Sequence, residues 1–190
     1  MLLLVGLGNP GSNSVNNRHN IGFKIIDAVN AHFKLSKQKP KFKGLLTTGN
    51  IDSKKIYAIK PLTFMNNSGT AIKELIDYFK IDAKDVFVFH DDMDIDFGKI
   101  KAKFGGSSAG HNGINSIDKF IGKDYSRIRI GIGHPKQKNK VNNHVLEDFK
   151  EDEEEKIKQI TDNIVKLIPT LIDKKIDLFS SKVNQNLNGV

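Results

Sequence analysis

Six histidines and no cysteine bound the chemistry open to this 190-residue chain. His32 lies on the flank of a helical pattern, and His134 and His144 sit in or beside a polar stretch without an obvious partner. The other three stand where elements begin or end. His19 follows Arg18 at the start of a helical pattern, His90 precedes Asp91 at the end of an apolar run, and His111 lies in Gly110-His111-Asn112-Gly113. A carboxylate that takes an imidazole Nδ1–H leaves Nε2 free to accept a proton, which makes a general base. The run His90-Asp91-Asp92-Met93-Asp94-Ile95-Asp96 therefore reads in three ways: a carboxylate that orients a histidine, a cation site, or a solvated turn. Calcium-loop spacing fails, because no Gly follows at the sixth position and no Glu at the twelfth. With neither Cys nor a Ser in a strand-to-helix elbow, water is the expected nucleophile.

Amides form the second notable class. Asn66 follows Phe64-Met65 and Asn112 follows His111, each where a strand or loop enters a helix. Such places present side chains to a cleft, and they also suit helix caps. Asn9 lies in Gly6-Leu7-Gly8-Asn9-Pro10-Gly11, which has the spacing of a dinucleotide-binding loop. That role needs a helix starting within the glycines and an acid about 20 residues on at a strand end. Neither is present: Ser12 to Asn17 reads as loop, and Asp27 falls inside a helical pattern. The alternative places Asn9 at the carboxyl edge of a central strand, where its amide can donate and accept.

The elements that must carry these residues alternate between strand and helix. Leu2 to Val5 is an uninterrupted apolar run, a strand covered on both faces and not a signal peptide. Ile21, Ile25, Val29 and Phe33 make one helical stripe, and Ile72, Leu75, Ile76 and Phe79 a second, with Asn66, Asn67 and Ser68 as candidate caps. Residues 45–50 and 55–60 form a hairpin pattern, and Val86 to His90 a further buried strand. Lys99 to Phe104 and Arg127 to Ile132 alternate as strands with one wet face, and Ile114, Ile117 and Ile121 mark a short helix. A polar loop follows over about 134–144, then a long helix from Ile157 to Leu171 that Pro169 is expected to kink or break. Interleaved strands and helices predict an α/β sandwich around a mixed sheet.

Charge points to the partner. The formal net charge is +8, with Lys37, Lys39, Lys41 and Lys43 clustered, and Lys99, Lys101, Lys103 and Lys136, Lys138, Lys140 alternating. Acidic residues concentrate in Glu147 to Glu155 instead. Such a balance suits a polyanion such as RNA. No run reaches the roughly 18 apolar residues of a membrane span, and the lack of cysteine fits a reducing cytoplasm.

Six blocks together resemble the bacterial peptidyl-tRNA hydrolase family: Gly6-Leu7-Gly8-Asn9-Pro10-Gly11, Arg18-His19-Asn20-Ile21-Gly22, Lys60 to Gly69, His90 to Asp94, Gly110-His111-Asn112-Gly113 and Arg127 to Pro135. They stand in the family's order and reach from residue 2 to about 149. The resemblance implies a single-domain three-layer α/β sandwich with a twisted mixed β-sheet flanked by helices, over residues 1–180; residues 181–190, which lack an apolar pattern, are expected to fray. It implies hydrolysis of the ester between a peptide and the 3′ ribose of tRNA, by a cytoplasmic monomer without metal, cofactor, membrane or protein partner. Carried over by motif, His19 is the base, Asp91 its orienting carboxylate, and Asn9 the residue that tells N-blocked from free aminoacyl-tRNA. Phe64, Asn66 and Asn112 contact the peptide or 3′ end, with Met65 and His111 lining the same cleft. Lys101, Lys103 and Arg129 lie near tRNA phosphates. Two departures stand out. Ser14 replaces the family's usual Tyr five residues before the histidine, at a stacking or packing contact with the 3′ end. The run Gly105 to Gly110 is also less glycine-rich than usual, which stiffens that loop.

Overall fold

The computed structural model describes residues 1–135 and 141–189. The basic positions Lys136, Lys138 and Lys140, and with them the middle of the polar loop, lie outside the described residues.

A seven-stranded mixed sheet is built on β1 (Leu2–Gly6). Parallel to it on either side run β4 (Lys54–Pro61) and β5 (Val86–Asp92), and β7 (Ser126–Gly131) continues parallel to β5. Antiparallel strands complete both edges: β3 (Gly44–Ile51) and then β2 (Lys39–Lys41) beyond β4, and β6 (Ile100–Phe104) beyond β7. The order is β2-β3-β4-β1-β5-β7-β6. β1 shows why a continuous apolar run is needed: Leu2 and Leu4 enter one core while Leu3 and Val5 enter the other. Truncating any of these four to Ala costs about 2–5 kcal/mol, since each is at most 5% exposed.

Against the first face pack α1 (Ile21–His32), α5 (Glu151–Ile172) and α6 (Ile176–Asn188); against the second pack α2 (Ser68–Phe79) and α3 (Asn112–Ile121). A single turn, α4 (Val141–His144), lies in the segment expected as loop. The result is the three-layer sandwich that the sequence predicts.

Three local expectations are corrected. Pro169 does not end α5 where it stands; the helix runs on to Ile172, because the proline falls in the last turn and removes only one backbone donor. Of the tail expected to fray, residues 181–188 are helical and belong to α6. Ile176, Phe179, Val183 and Leu187 form a stripe against the first core, which a boundary at residue 180 cuts in two. Asn184 adds a polar lock, accepting from Ile100 N (2.9 Å) and donating to Ile100 O (2.7 Å) on the edge strand β6. Finally, neither Asn66 nor Asn112 caps a helix. Asn67 occupies the cap position of α2 without a side-chain bond, and His111 caps α3.

Candidate active site

The parallel strands β1, β4 and β5 end on one edge of the sheet, where α/β folds open their crevice. The glycine run after β1 is loop, and α1 begins only at Ile21, so no helix N-terminus meets the glycines. Gly6, which ends β1, and Gly22, in the first turn of α1, serve packing instead. A Cβ on Gly6 would lie 2.2 Å from Gly22 O, and one on Gly22 would lie 2.4 Å from Phe89 O. Their absence lets the start of α1 press against the ends of β1 and β5. His19, three residues before Gly22, is thereby brought onto Asp91.

His19 Nδ1 lies 2.8 Å from Asp91 Oδ1, with both residues buried. His111 Nε2 approaches the same oxygen at 3.0 Å, and the two imidazole centroids are 4.9 Å apart. The tautomer of His111 follows from its other nitrogen. Nδ1 faces the amides of Gly113 (3.1 Å) and Ile114 (3.3 Å) at the start of α3, so it is an acceptor and the proton sits on Nε2. One carboxylate oxygen thus collects two N–H groups. Burial opposes ionisation of Asp91, but the two imidazoles outweigh it and hold the carboxyl well below the usual carboxylate range. His19 Nε2 makes no hydrogen bond among the described residues and is left to the cleft.

His90 closes the set from beneath. Its Nδ1 donates to Asp91 O (2.7 Å), its ring meets His111 edge-on at 4.8 Å, and its Nε2 is buried without a partner. Burial and the neighbouring His111 push its pKa down to about 3, so it is a neutral spacer.

Other contacts were not legible in the motifs. Asn20 grips the backbone of Asn9, accepting from its N (2.8 Å) and donating to its O (2.9 Å). Asn9 Oδ1 then accepts from Met65 N (3.1 Å), which leaves the amide nitrogen as the group Asn9 can offer a ligand. His19 N donates to Val145 O (2.8 Å), and buried Arg18 holds the carbonyls of Glu147 (3.2 Å) and Asp148 (2.7 Å) and the Glu153 carboxylate (2.7 Å). Residues 145–148 are therefore strapped to the base. Arg18 belongs to a quoted motif, but partners 129 or more residues away give no sequence signal.

His19, Asp91, His111 and Asn9 open on a cleft of about 490 Å³. Of the residues expected there, Asn9, His19, Phe64, Met65, Asn66, Asp91, His111 and Asn112 all border it. Missed by sequence reasoning were Asp92, Met93, Ser108 and the apolar pair Val145 and Leu146. Ser14 lies outside it, in a turn over Ser12–Ser14. The loop after β6 contributes Ala109, held at φ 48°, a left-handed setting that glycine takes without strain. Arg129 flanks the cleft by pairing its Nε with Asp92 Oδ2 (2.7 Å), and Lys101 stands beside it in register on β6. Lys103 is exposed two residues further along the same strand.

Ligand atoms of His19, Asp91 and His111 lie within 4.8 Å of one another, close enough to suggest a cation. The tautomer argues otherwise. A metal on His111 Nε2 would have to displace the proton that the two α3 amides force onto it, leaving an imidazolate.

The family model described as peptidyl-tRNA hydrolase matches residues 3–189. This chain belongs to the peptidyl-tRNA hydrolase family. It is 73% identical over 184 residues to the peptidyl-tRNA hydrolase of Pelagibacter ubique (strain HTCC1062), covering 97% of this chain and 99% of that one. Against that of Bartonella quintana (strain Toulouse) it is 45% identical, covering 97% and 96%. A crystal structure of the peptidyl-tRNA hydrolase from Acinetobacter baumannii superposes with a TM-score of 0.91 at 33% identity, covering 97% and 94%. As a family member the chain is a hydrolase, and no helix among its described residues is long and apolar enough to cross a membrane.

Proposed function

We propose that this hydrolase cleaves the ester joining a peptide, or an N-blocked amino acid, to the 3′ ribose of tRNA, with His19 as general base. The observation that carries the mechanism is the single Asp91 oxygen shared by two imidazoles, which leaves His19 Nε2 bare at the cleft. Nε2 takes a proton from water, and the hydroxide attacks the ester carbonyl. The tetrahedral oxyanion accepts a hydrogen bond from an amide N–H of Asn66 or Asn112, which border the cleft. Collapse breaks the bond to the ribose oxygen, which leaves with the proton held on His19. Asp91, ionised throughout, balances the imidazolium between these steps and needs no proton of its own.

Asn9 supplies the discrimination. Because its Oδ1 is committed to Met65 N, it donates through Nδ2, and the matching group is the acyl carbonyl on a blocked amino terminus. A free ammonium offers no acceptor there and leaves the amide unmatched. On the other flank, exposed Lys101 and Lys103 and the outer nitrogens of Arg129 are placed to meet tRNA phosphates. A monomer in the cytoplasm, needing no metal and no protein partner, is part of the same reading.

The deciding assay incubates the protein with N-acetyl-aminoacyl-tRNA in a chelator. Release of the blocked amino acid is expected, as is a loss of at least about 10²-fold in His19→Ala with tRNA affinity retained. Near-normal turnover in that variant sinks the mechanism, and loss of activity in chelator sinks the metal-free step.

A further inference from the structure

A second cavity of about 200 Å³ shares Asn9 with the cleft and extends away from it toward β3 and β4. Its walls include Val15, Phe23, Leu45 and Leu62. Two of them stand well out in solvent without apolar cover, Val15 at 58% and Leu62 at 41% exposure. Charged groups also line it, but each is already engaged. Lys60 is paired with Asp27, and Lys24 reaches Asn16 (3.1 Å) and Glu154 (3.4 Å). What the groove offers a visitor is apolar surface.

We infer that this groove receives the side chain of the peptide residue one step upstream of the ester-linked amino acid, and that it favours an apolar one. The inference rests on the ester-hydrolysis reading above and deepens it. Its direction comes from the sheet. The basic positions Arg129 and Lys101 stand on β7 and β6, on one side of β5, which carries Asp91. The groove lies on the opposite side, on β4, β3 and the loop after β1. With tRNA on the first flank and the ester carbon at His19, the peptide departs over Asn9, whose amide nitrogen takes the first acyl carbonyl. The next side chain then meets Val15, Phe23, Leu45 and Leu62. An RNA strand suits this groove poorly, because the cations that line it are paired within the chain.

The test compares three substrates on the intact protein: N-acetyl-leucyl-tRNA, and the same with an added leucine or an added aspartate between acetyl and leucine. Wild type is expected to gain about tenfold in kcat/KM from the added leucine, mainly through KM, and little from aspartate. Leu62→Asp and Val15→Asp, both on the exposed rim, are expected to erase the leucine gain while N-acetyl-leucyl-tRNA is cleaved as by wild type. No gain in wild type, or a gain that survives both substitutions, overturns the subsite. Equal loss on all three substrates in the variants also overturns it, since the groove then has no role of its own. Failure of wild type to cleave N-acetyl-leucyl-tRNA is a different result and overturns the ester-hydrolysis reading itself.

Discussion

His111 donates through Nε2 to Asp91 Oδ1 at 3.0 Å, and it cannot change that role without uncapping α3. Its second nitrogen is held by the amides of Gly113 and Ile114, so helix geometry sets the proton that faces the carboxylate. Structural and chemical duties of one side chain can therefore be separated. Asn is also a good N-cap. His111→Asn is expected to melt within a few degrees of wild type yet lose about tenfold or more in kcat, because Asp91 is held from one side only. His111→Ala is expected to lose the cap as well, about 1 kcal/mol. Equal kcat in wild type and His111→Asn, read by thermal melting and steady-state kinetics together, contradicts this division.

Asp91→Asn keeps an oxygen that can accept from both imidazoles but removes the negative charge that faces them. Turnover is expected to drop by about 10²–10⁴-fold. The acid limb of the pH–rate profile should move to lower pH, because the imidazolium formed on His19 loses its counter-charge. A variant with the wild-type profile shape would show that Asp91 does not act through His19.

His90 couples stability to pH. Folded, it takes up its proton only near pH 3; unfolded, it does so near its ordinary 6.5. Protons therefore bind the unfolded chain first. The stability contributed by the neutral buried ring is whole above about pH 6.5 and is lost as pH falls toward 3, at up to about 1.4 kcal/mol per pH unit. Asp91, also depressed, adds its own loss only below the ordinary carboxylate range. Urea titrations from pH 6.5 to 4.5 should show a slope shallower by about one proton in His90→Gln than in wild type. Parallel slopes would remove His90 from the account.

Lys101→Ala and Arg129→Ala should each weaken tRNA binding and flatten its salt dependence by about one ion-equivalent. Arg129→Ala carries an added effect, since Asp92 on the cleft wall loses its partner at 2.7 Å. It should lower kcat as well as affinity, whereas Lys101→Ala should change affinity alone. Filter binding across a salt series, run beside kinetics, separates the two; unchanged salt slopes in both place the RNA contact elsewhere, such as Lys37 to Lys43.

Local pattern carried most of the architecture. Apolar runs and stripes of three and four residues are properties of neighbouring positions, so β1, α1, the β3–β4 hairpin and α3 were legible one by one. The C-terminal helix is hard to read locally, because its stripe from Ile176 to Leu187 is spread across both sides of residue 180. Motif order likewise pointed to the family and to His19 and Asp91 as partners, although 72 residues separate them.

What remained hidden depends on how the layers seat against one another. Nothing local in Asn9 says that Met65 N takes its oxygen and leaves its nitrogen for the ligand, and nothing in Asn112 says that His111 takes the cap in its place. Arg18 stands beside the base in its motif, and only the fold makes it the clamp for carbonyls 129 and 130 residues away. Residue types in the chain determined which proton donors and acceptors exist. Only the approach of α1 to the ends of β1 and β5, permitted by Gly6 and Gly22, decided which of them share one oxygen. Hydrogen bonds are set by distances of a few tenths of an ångström, and those distances exist only once the packing is complete.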